Sequence, residues 1–180
     1  PELDVKIGEA LNELNHRGPD NGGFEVYSTP GMVGVLFLGH ARLSVIDLTV
    51  AGHQPMHSID GRFTIIFNGE IYNYRELRVE LIREGCAFKT DSDTEVLLSA
   101  WSRWGKACLP RLTGMFAFGV YDRRDQTLTC VRDAFGIKPF FYSVDSETFA
   151  FASELSALLK LLPVKPPVNW QRSYDYLVHG

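Results

Sequence analysis

Phe63-Thr64-Ile65-Ile66-Phe67-Asn68-Gly69-Glu70-Ile71-Tyr72-Asn73-Tyr74-Arg75-Glu76-Leu77 is the stretch on which the fold turns. Its first five residues are almost wholly apolar and β-prone, which suits a short buried strand. Asn68-Gly69 follows at once, and this dipeptide most often signals a two-residue hairpin turn. From Glu70 onward, however, the pattern becomes helical. Leu77, Leu81 and Ile82 share one side of a helix over Tyr74 to Glu84, and Gly85 is placed to close it in the left-handed conformation. A strand ending in Asn-Gly before a helix can present a carboxamide N–H and a backbone N–H toward one point, the geometry that stabilises an oxyanion.

Outward from this centre, Ile7, Ala10, Leu11 and Leu14 recur at helical spacing and predict a helix from Val5 to Leu14, broken by Gly18-Pro19 and Gly22-Gly23. Met32 to Leu38 and His40 to Ile46 are β-rich runs around Gly39. Downstream, Ser92-Asp93-Thr94-Glu95 reads as a capping box, the Ser92 hydroxyl and Glu95 carboxylate each satisfying the other's backbone donor, and opens a helix to about Trp104. Met115 to Tyr121, Thr127 to Val131, Phe140 to Val144 and Thr148 to Ala152 are β-like segments separated by polar turns, expected to form an antiparallel meander. Ser153 to Leu161 is a short amphipathic helix. Pro163, Pro166 and Pro167 then form a stiff connector to a last helix beginning near Asn169. Strands grouped with strands, flanked by helices and without a regular βαβ rhythm, favour an α+β layered sandwich.

With 180 residues, 45% of them apolar, the chain can bury one true core. Its formal net charge of −4, with Lys and Arg scattered, offers no field for nucleic acid or anionic lipid. Neither partner is expected. Cys86, Cys108 and Cys130 are odd in number and widely spaced, which suits a reducing cytoplasm and neither a disulfide framework nor a CxxC metal site. No apolar run approaches the roughly 20 residues of a membrane span.

Several residues admit two readings. Arg42 is either an outward-facing arginine on a half-exposed strand or a guanidinium fork for a carboxylate. Asp91, Asp93 and Glu95 suggest a cation site, but acids in a first helical turn explain them without a metal. His53 and His57 have the spacing of helical zinc ligands, yet Gly52 and Pro55 argue against a helix there. The segments around Phe116, Phe118, Phe140 and Phe141 read as core, since no basic residues interleave them.

Seven motifs recur along nearly the whole chain: His16-Arg17-Gly18-Pro19-Asp20; Ala41-Arg42-Leu43-Ser44-Val45-Ile46-Asp47; Gln54-Pro55-Met56; Phe67-Asn68-Gly69-Glu70-Ile71-Tyr72-Asn73; Asp91-Ser92-Asp93-Thr94-Glu95; Arg132-Asp133-Ala134-Phe135-Gly136-Ile137-Lys138-Pro139; and Phe151-Ala152-Ser153-Glu154. In this order they resemble the glutaminase domain of asparagine synthetases, a branch of the N-terminal nucleophile class II amidotransferases. The resemblance implies a four-layer αββα sandwich of the N-terminal nucleophile hydrolase type, with glutamine held between two sheets. It assigns the glutamine α-carboxylate to Arg42, with the backbone of Leu43, Ser44, Val45 and Ile46 lining the pocket. Asp93 would take the α-ammonium, Glu70 would help fix the amino-acid end, and Asn68 with Gly69 would form the oxyanion hole. Opposite charges at both ends are what a zwitterion taken out of water requires.

The resemblance also implies an N-terminal cysteine whose own α-amine serves as general base, with a reference pKa of about 7.7–8.0 that suits the task. Here residue 1 is Pro1, and Cys86, Cys108 and Cys130 match no nucleophile position. The expectation is that the family's first strand, with its cysteine, is missing from this stretch, so that the chain as it stands is inactive and one sheet has a gap. Residues 1–162 would then be the amidotransferase domain and 163–180 a connector and helix leading toward an ATP-dependent synthetase domain, where ATP and Mg would bind and aspartate would be amidated. The domain itself needs no cofactor. A non-catalytic glutamine-binding scaffold and the glutaminase domain of another amide-forming enzyme are the alternatives, and a homo-oligomer is left open.

Overall fold

The computed structural model describes residues 2–18, 21–28, 34–42 and 53–179, without the side chains of residues 2–4, 21 and 42. In chain order the elements are α1 (Glu2–Glu13), β1 (Asn21–Tyr27), β2 (Leu36–Arg42), β3 (Met56–His57), β4 (Phe63–Ile71), α2 (Tyr74–Arg83), α3 (Asp93–Trp104), a 3-10 helix (Gly105–Arg111), β5 (Gly114–Asp122), β6 (Thr127–Arg132), β7 (Phe141–Val144), β8 (Phe149–Ala152), α4 (Leu155–Leu161) and α5 (Trp170–His179).

The central sheet has the order β3-β4-β5-β6, all antiparallel, with Phe67 opposite Phe118 and Gly69 opposite Phe116. Alternation along β4 and β5 divides its two faces. Ile65, Phe67, Ile71, Phe116, Phe118 and Val120 point to one side and form the main core with Leu77, Leu81, Val96, Leu97 and Trp101 of α2 and α3. Ile66 and Tyr121 point to the other side and pack with Leu38 of β2, joined by Tyr27, Leu128 and Phe151. The second layer of strands is two separate pairs, β1-β2 and β7-β8. Beyond them α1 packs on α4, whose Lys160 reaches Glu9 at 3.5 Å, while Leu11 of α1 approaches Gly39 of β2. The result is the αββα order.

Several local expectations hold. Gly85 adopts φ 89°, its N–H reaches Ile82 O at 3.0 Å and Cys86 N–H reaches Leu81 O at 2.9 Å, the two bonds of a left-handed helix stop. Other expectations are corrected. Gly22-Gly23 begins β1 instead of a break, because β1 runs against the Gln54 loop: a Cβ on Gly23 would stand 2.6 Å from Gln54 O. Asn68-Gly69 lies inside β4, which continues to Ile71. The meander is split, with β6 ending the central sheet and β7-β8 crossing to the other. Only half of the capping box forms: Ser92 Oγ accepts Glu95 N–H at 3.2 Å, but the Glu95 carboxylate accepts the Lys89 and Thr90 N–H groups at 2.8 and 2.7 Å. Phe116 and Phe118 are core, whereas Phe141 is 42% exposed.

Candidate active site

Among the described residues no strand pairs with the outer edges of β2 and β8, and both strands line a cavity of about 740 Å³. Ile66, Asn68, Ala117 and Gly119 of the central sheet form its roof, and Ile7, Ala10 and Leu11 of α1, Leu14 just after it and Ala157 of α4 its floor. Unpaired strand edges present rows of backbone donors and acceptors that another strand can satisfy. The shape is therefore that of a slot for one extended segment, which would fuse the two pairs into a single sheet.

Asn68 stands at this slot. It shares the inter-sheet face with Ile66 and Glu70, and its Nδ2–H donates to Ser153 Oγ, at the end of β8, at 3.4 Å. The next residue, Gly69, sits where no side chain fits: a Cβ there would lie 2.2 Å from Met115 O. Alternation also fixes the direction of its N–H. Along one edge of β4, Phe63 N–H donates to Ser58 Oγ at 2.9 Å, Phe67 N–H to Gln54 Oε1 at 2.6 Å and Ile71 N–H to Asp93 Oδ2 at 3.0 Å. Gly69 lies midway between the last two, and its cross-strand partner Phe116 directs both backbone groups to Asp133. The Gly69 N–H thus issues from the open edge, and no side chain among the described residues takes it.

Asp93, the first residue of α3, is buried beside this edge. Burial pushes its carboxyl above the usual range, the Ile71 and Thr94 N–H groups act in the opposite sense, and Glu70 adds to the rise. One oxygen is bonded to Ile71 while the local backbone donors favour the ionised form, so the group can face a cation. Arg42 is the last residue of β2, paired in register with Asn21. Its side chain and all of Leu43, Ser44, Val45 and Ile46 lie outside the described residues. His40, two residues earlier on the same strand, places Nε2 3.0 Å from Phe67 O, tying β2 to β4 next to Asn68.

The family model for the glutamine amidotransferase domain matches residues 2–180. The chain belongs to this family. Among relatives of the amidotransferase domain, asparagine synthetase [glutamine-hydrolyzing] 1 of Bacillus subtilis is 44% identical over 155 residues, 84% of this chain and 23% of its own length. A protein named putative asparagine synthetase [glutamine-hydrolyzing] of Mycobacterium tuberculosis is 42% identical over 161 residues, 87% of this chain and 24% of its own. The asparagine-synthetase type of amidotransferase domain is thereby borne out, and the chain spans about a quarter of the length of these curated relatives. The solved glutamine phosphoribosylpyrophosphate amidotransferase of B. subtilis superposes with a TM-score of 0.68 at 24% identity, covering 83% of this chain and 39% of that one, which bears out the fold of the amidotransferase domain.

Other family motifs prove to be architectural. The Asp133 carboxylate accepts N–H groups from Phe116, Phe135, Ile137 and Lys138 at 2.9–3.2 Å, and Arg132 donates to the Gly136 and Lys138 carbonyls at 2.7 Å, so the motif from Arg132 to Lys138 builds its own loop. His16 and Arg17 both meet Glu154, at 2.9 and 3.0 Å. Asp91 pairs with Arg78 at 3.5 Å, and His57 lies 2.8 Å from Glu25. Gln54, His40 and Ser153 touch the Asn68 region although their residue types alone gave no signal of it.

Proposed function

We propose that the chain is the glutaminase part of a longer asparagine synthetase-like enzyme, hydrolysing glutamine and passing ammonia to an ATP- and Mg-dependent domain that amidates aspartate. The observation that carries this reading is the Asn68 carboxamide lining the slot between β2 and β8, with the Gly69 N–H beside it on the edge of β4 and the buried Asp93 bonded to Ile71 two residues on. Arg42 would hold the glutamine α-carboxylate, Asp93 and Glu70 the ammonium end, and the backbone of Leu43 to Ile46 the side of the pocket.

The slot would take the strand that carries the nucleophile. Its thiolate attacks the glutamine amide carbon, and the oxygen that gains the electron pair is stabilised by Asn68 and Gly69. Collapse expels ammonia and leaves a γ-glutamyl thioester, which water cleaves to glutamate and free thiol. Removing one such donor costs about 10²–10³ in rate. A cytoplasmic setting fits the three free thiols Cys86, Cys108 and Cys130.

Complementation tests the proposal. A synthetic peptide of strand length beginning Cys-Gly-Ile, added to the 180-residue chain, should raise its Tm and produce glutamate from glutamine. The same peptide beginning Ala-Gly-Ile should raise Tm without turnover. If neither peptide binds, the slot reading is wrong.

A further inference from the structure

β3 contributes only Met56 and His57, opposite Ile65 and Thr64, so among the described residues no strand lies beside the edge of β4 from Phe67 onward. Gln54 stands in that place. Its side chain is buried, with 6% of the residue exposed, and it makes both bonds that a neighbouring strand would make to Phe67: Oε1 accepts the Phe67 N–H at 2.6 Å and Nε2 donates to the Phe67 carbonyl at 3.2 Å. A primary carboxamide has one acceptor end and one donor end, which is the complement a strand residue needs. The Gln54 backbone is itself held, because Gly23 of β1 approaches so closely that a Cβ there would lie 2.6 Å from Gln54 O.

We propose that Gln54 is a positioning residue for oxyanion stabilisation, fixing the β4 backbone at Phe67 so that the adjoining Asn68 carboxamide and Gly69 N–H are aimed at the reacting carbonyl. The inference rests on the glutaminase reading above. His40 shares only the Phe67 carbonyl, at 3.0 Å, so loss of Gln54 orphans the Phe67 N–H while leaving its carbonyl partnered. The β4 edge is then free to shift, and misplacement of about 1 Å can cost on the order of 10²-fold in rate.

The test uses the full-length parent enzyme, measuring glutaminase kcat and glutamine KM. Gln54→Met keeps the length and apolar stem but lacks the amide; its kcat should fall tenfold or more while KM stays within about threefold. Gln54→Glu supplies the second arm. As a carboxylate it can accept from Phe67 N–H but cannot donate to the carbonyl, whereas the protonated acid has one donor and one acceptor like glutamine. Its kcat per folded enzyme relative to wild type should therefore rise as pH falls, whereas a merely structural role would change the folded fraction and leave that ratio constant, and this decides the matter if Gln54→Met fails to fold. Unchanged kcat in Gln54→Met, or a pH-independent ratio for Gln54→Glu, overturns the inference. A wild-type parent that releases no glutamate overturns the underlying reading instead.

Discussion

The Asp93 carboxylate accepts the Ile71 backbone N–H at 3.0 Å, locking the first turn of α3 to the end of β4 two residues beyond Gly69. The bond does two things at once. It caps the strand edge next to the Gly69 N–H, and it holds the buried carboxylate in one place.

Burial raises the Asp93 pKa, so its ionised form is unfavourable for folding, whereas the proposed ammonium site would need that form. With the folded-state pKa above the unfolded one, its stabilising contribution is complete at low pH and is lost as pH rises through the folded value. Asp93→Asn, neutral at all pH, should match or exceed the wild-type Tm at pH 7 and yet bind glutamine at least tenfold more weakly. Wild-type affinity should also begin to fall on acidification above the ordinary aspartate value of about 3.9, and the variant should lack that limb. Calorimetry and thermal melts across pH 4–8 check both, and wild-type affinity in Asp93→Asn would exclude the role.

Gly69→Ala should be structurally costly, because the new methyl meets backbone, not a flexible side chain, 2.2 Å from Met115 O. Forced separation of β4 from β5 should cost about 1–3 kcal/mol, read as a shift of the urea midpoint. Turnover in the parent enzyme should fall further than stability accounts for.

Tyr27 joins β1 to the central sheet: its hydroxyl donates to Glu25, lies 2.8 Å from Thr64 Oγ1, and has its pKa pushed up to about 12, chiefly by burial and then by Glu25. Because the folded value exceeds the unfolded one, the stabilisation is present below about pH 10 and is lost as pH rises toward 12. Tyr27→Phe should therefore show a flatter loss of stability between those limits, measured as Tm against pH. An identical alkaline profile would remove Tyr27 from the account.

What could be read in the sequence was whatever depends on near neighbours. Helix α2 with its Gly85 stop and helix α3 with Ser92 at its start are set by residues three or four apart, and both formed as expected. β1 was hidden because Gly22-Gly23 looks like a break, while its reason, the Gln54 loop lying against Gly23, exists only in three dimensions. The transfer of β7-β8 to the second layer is likewise decided by Phe151 packing over Gly119, far away in sequence. Asn68, Gly69 and Asp93 were singled out through their motifs, and the structure brings them together at the end of β4 and the start of α3. The part played by Gln54 was not, because two bonds to a strand thirteen residues away leave no periodicity in the chain.

Glu154 links α4 to the segment after α1 through His16 and Arg17. Its carboxyl lies below the usual range, first through the Arg17 hydrogen bond and then through His16. A depressed folded-state pKa contributes stability above the unfolded value of about 4.3 that is lost as pH falls. Glu154→Gln should accordingly move acid unfolding to higher pH and speed amide exchange at the α1 end, observable by hydrogen exchange at pH 5–7.

The most direct measurement is calorimetric titration of glutamine into the folded chain, with Arg42→Ala and Asp93→Ala as controls. The account predicts one glutamine per chain, lost in both variants. Binding that survives both substitutions, or no binding by a folded chain whose slot is filled by the complementing peptide, would contradict it.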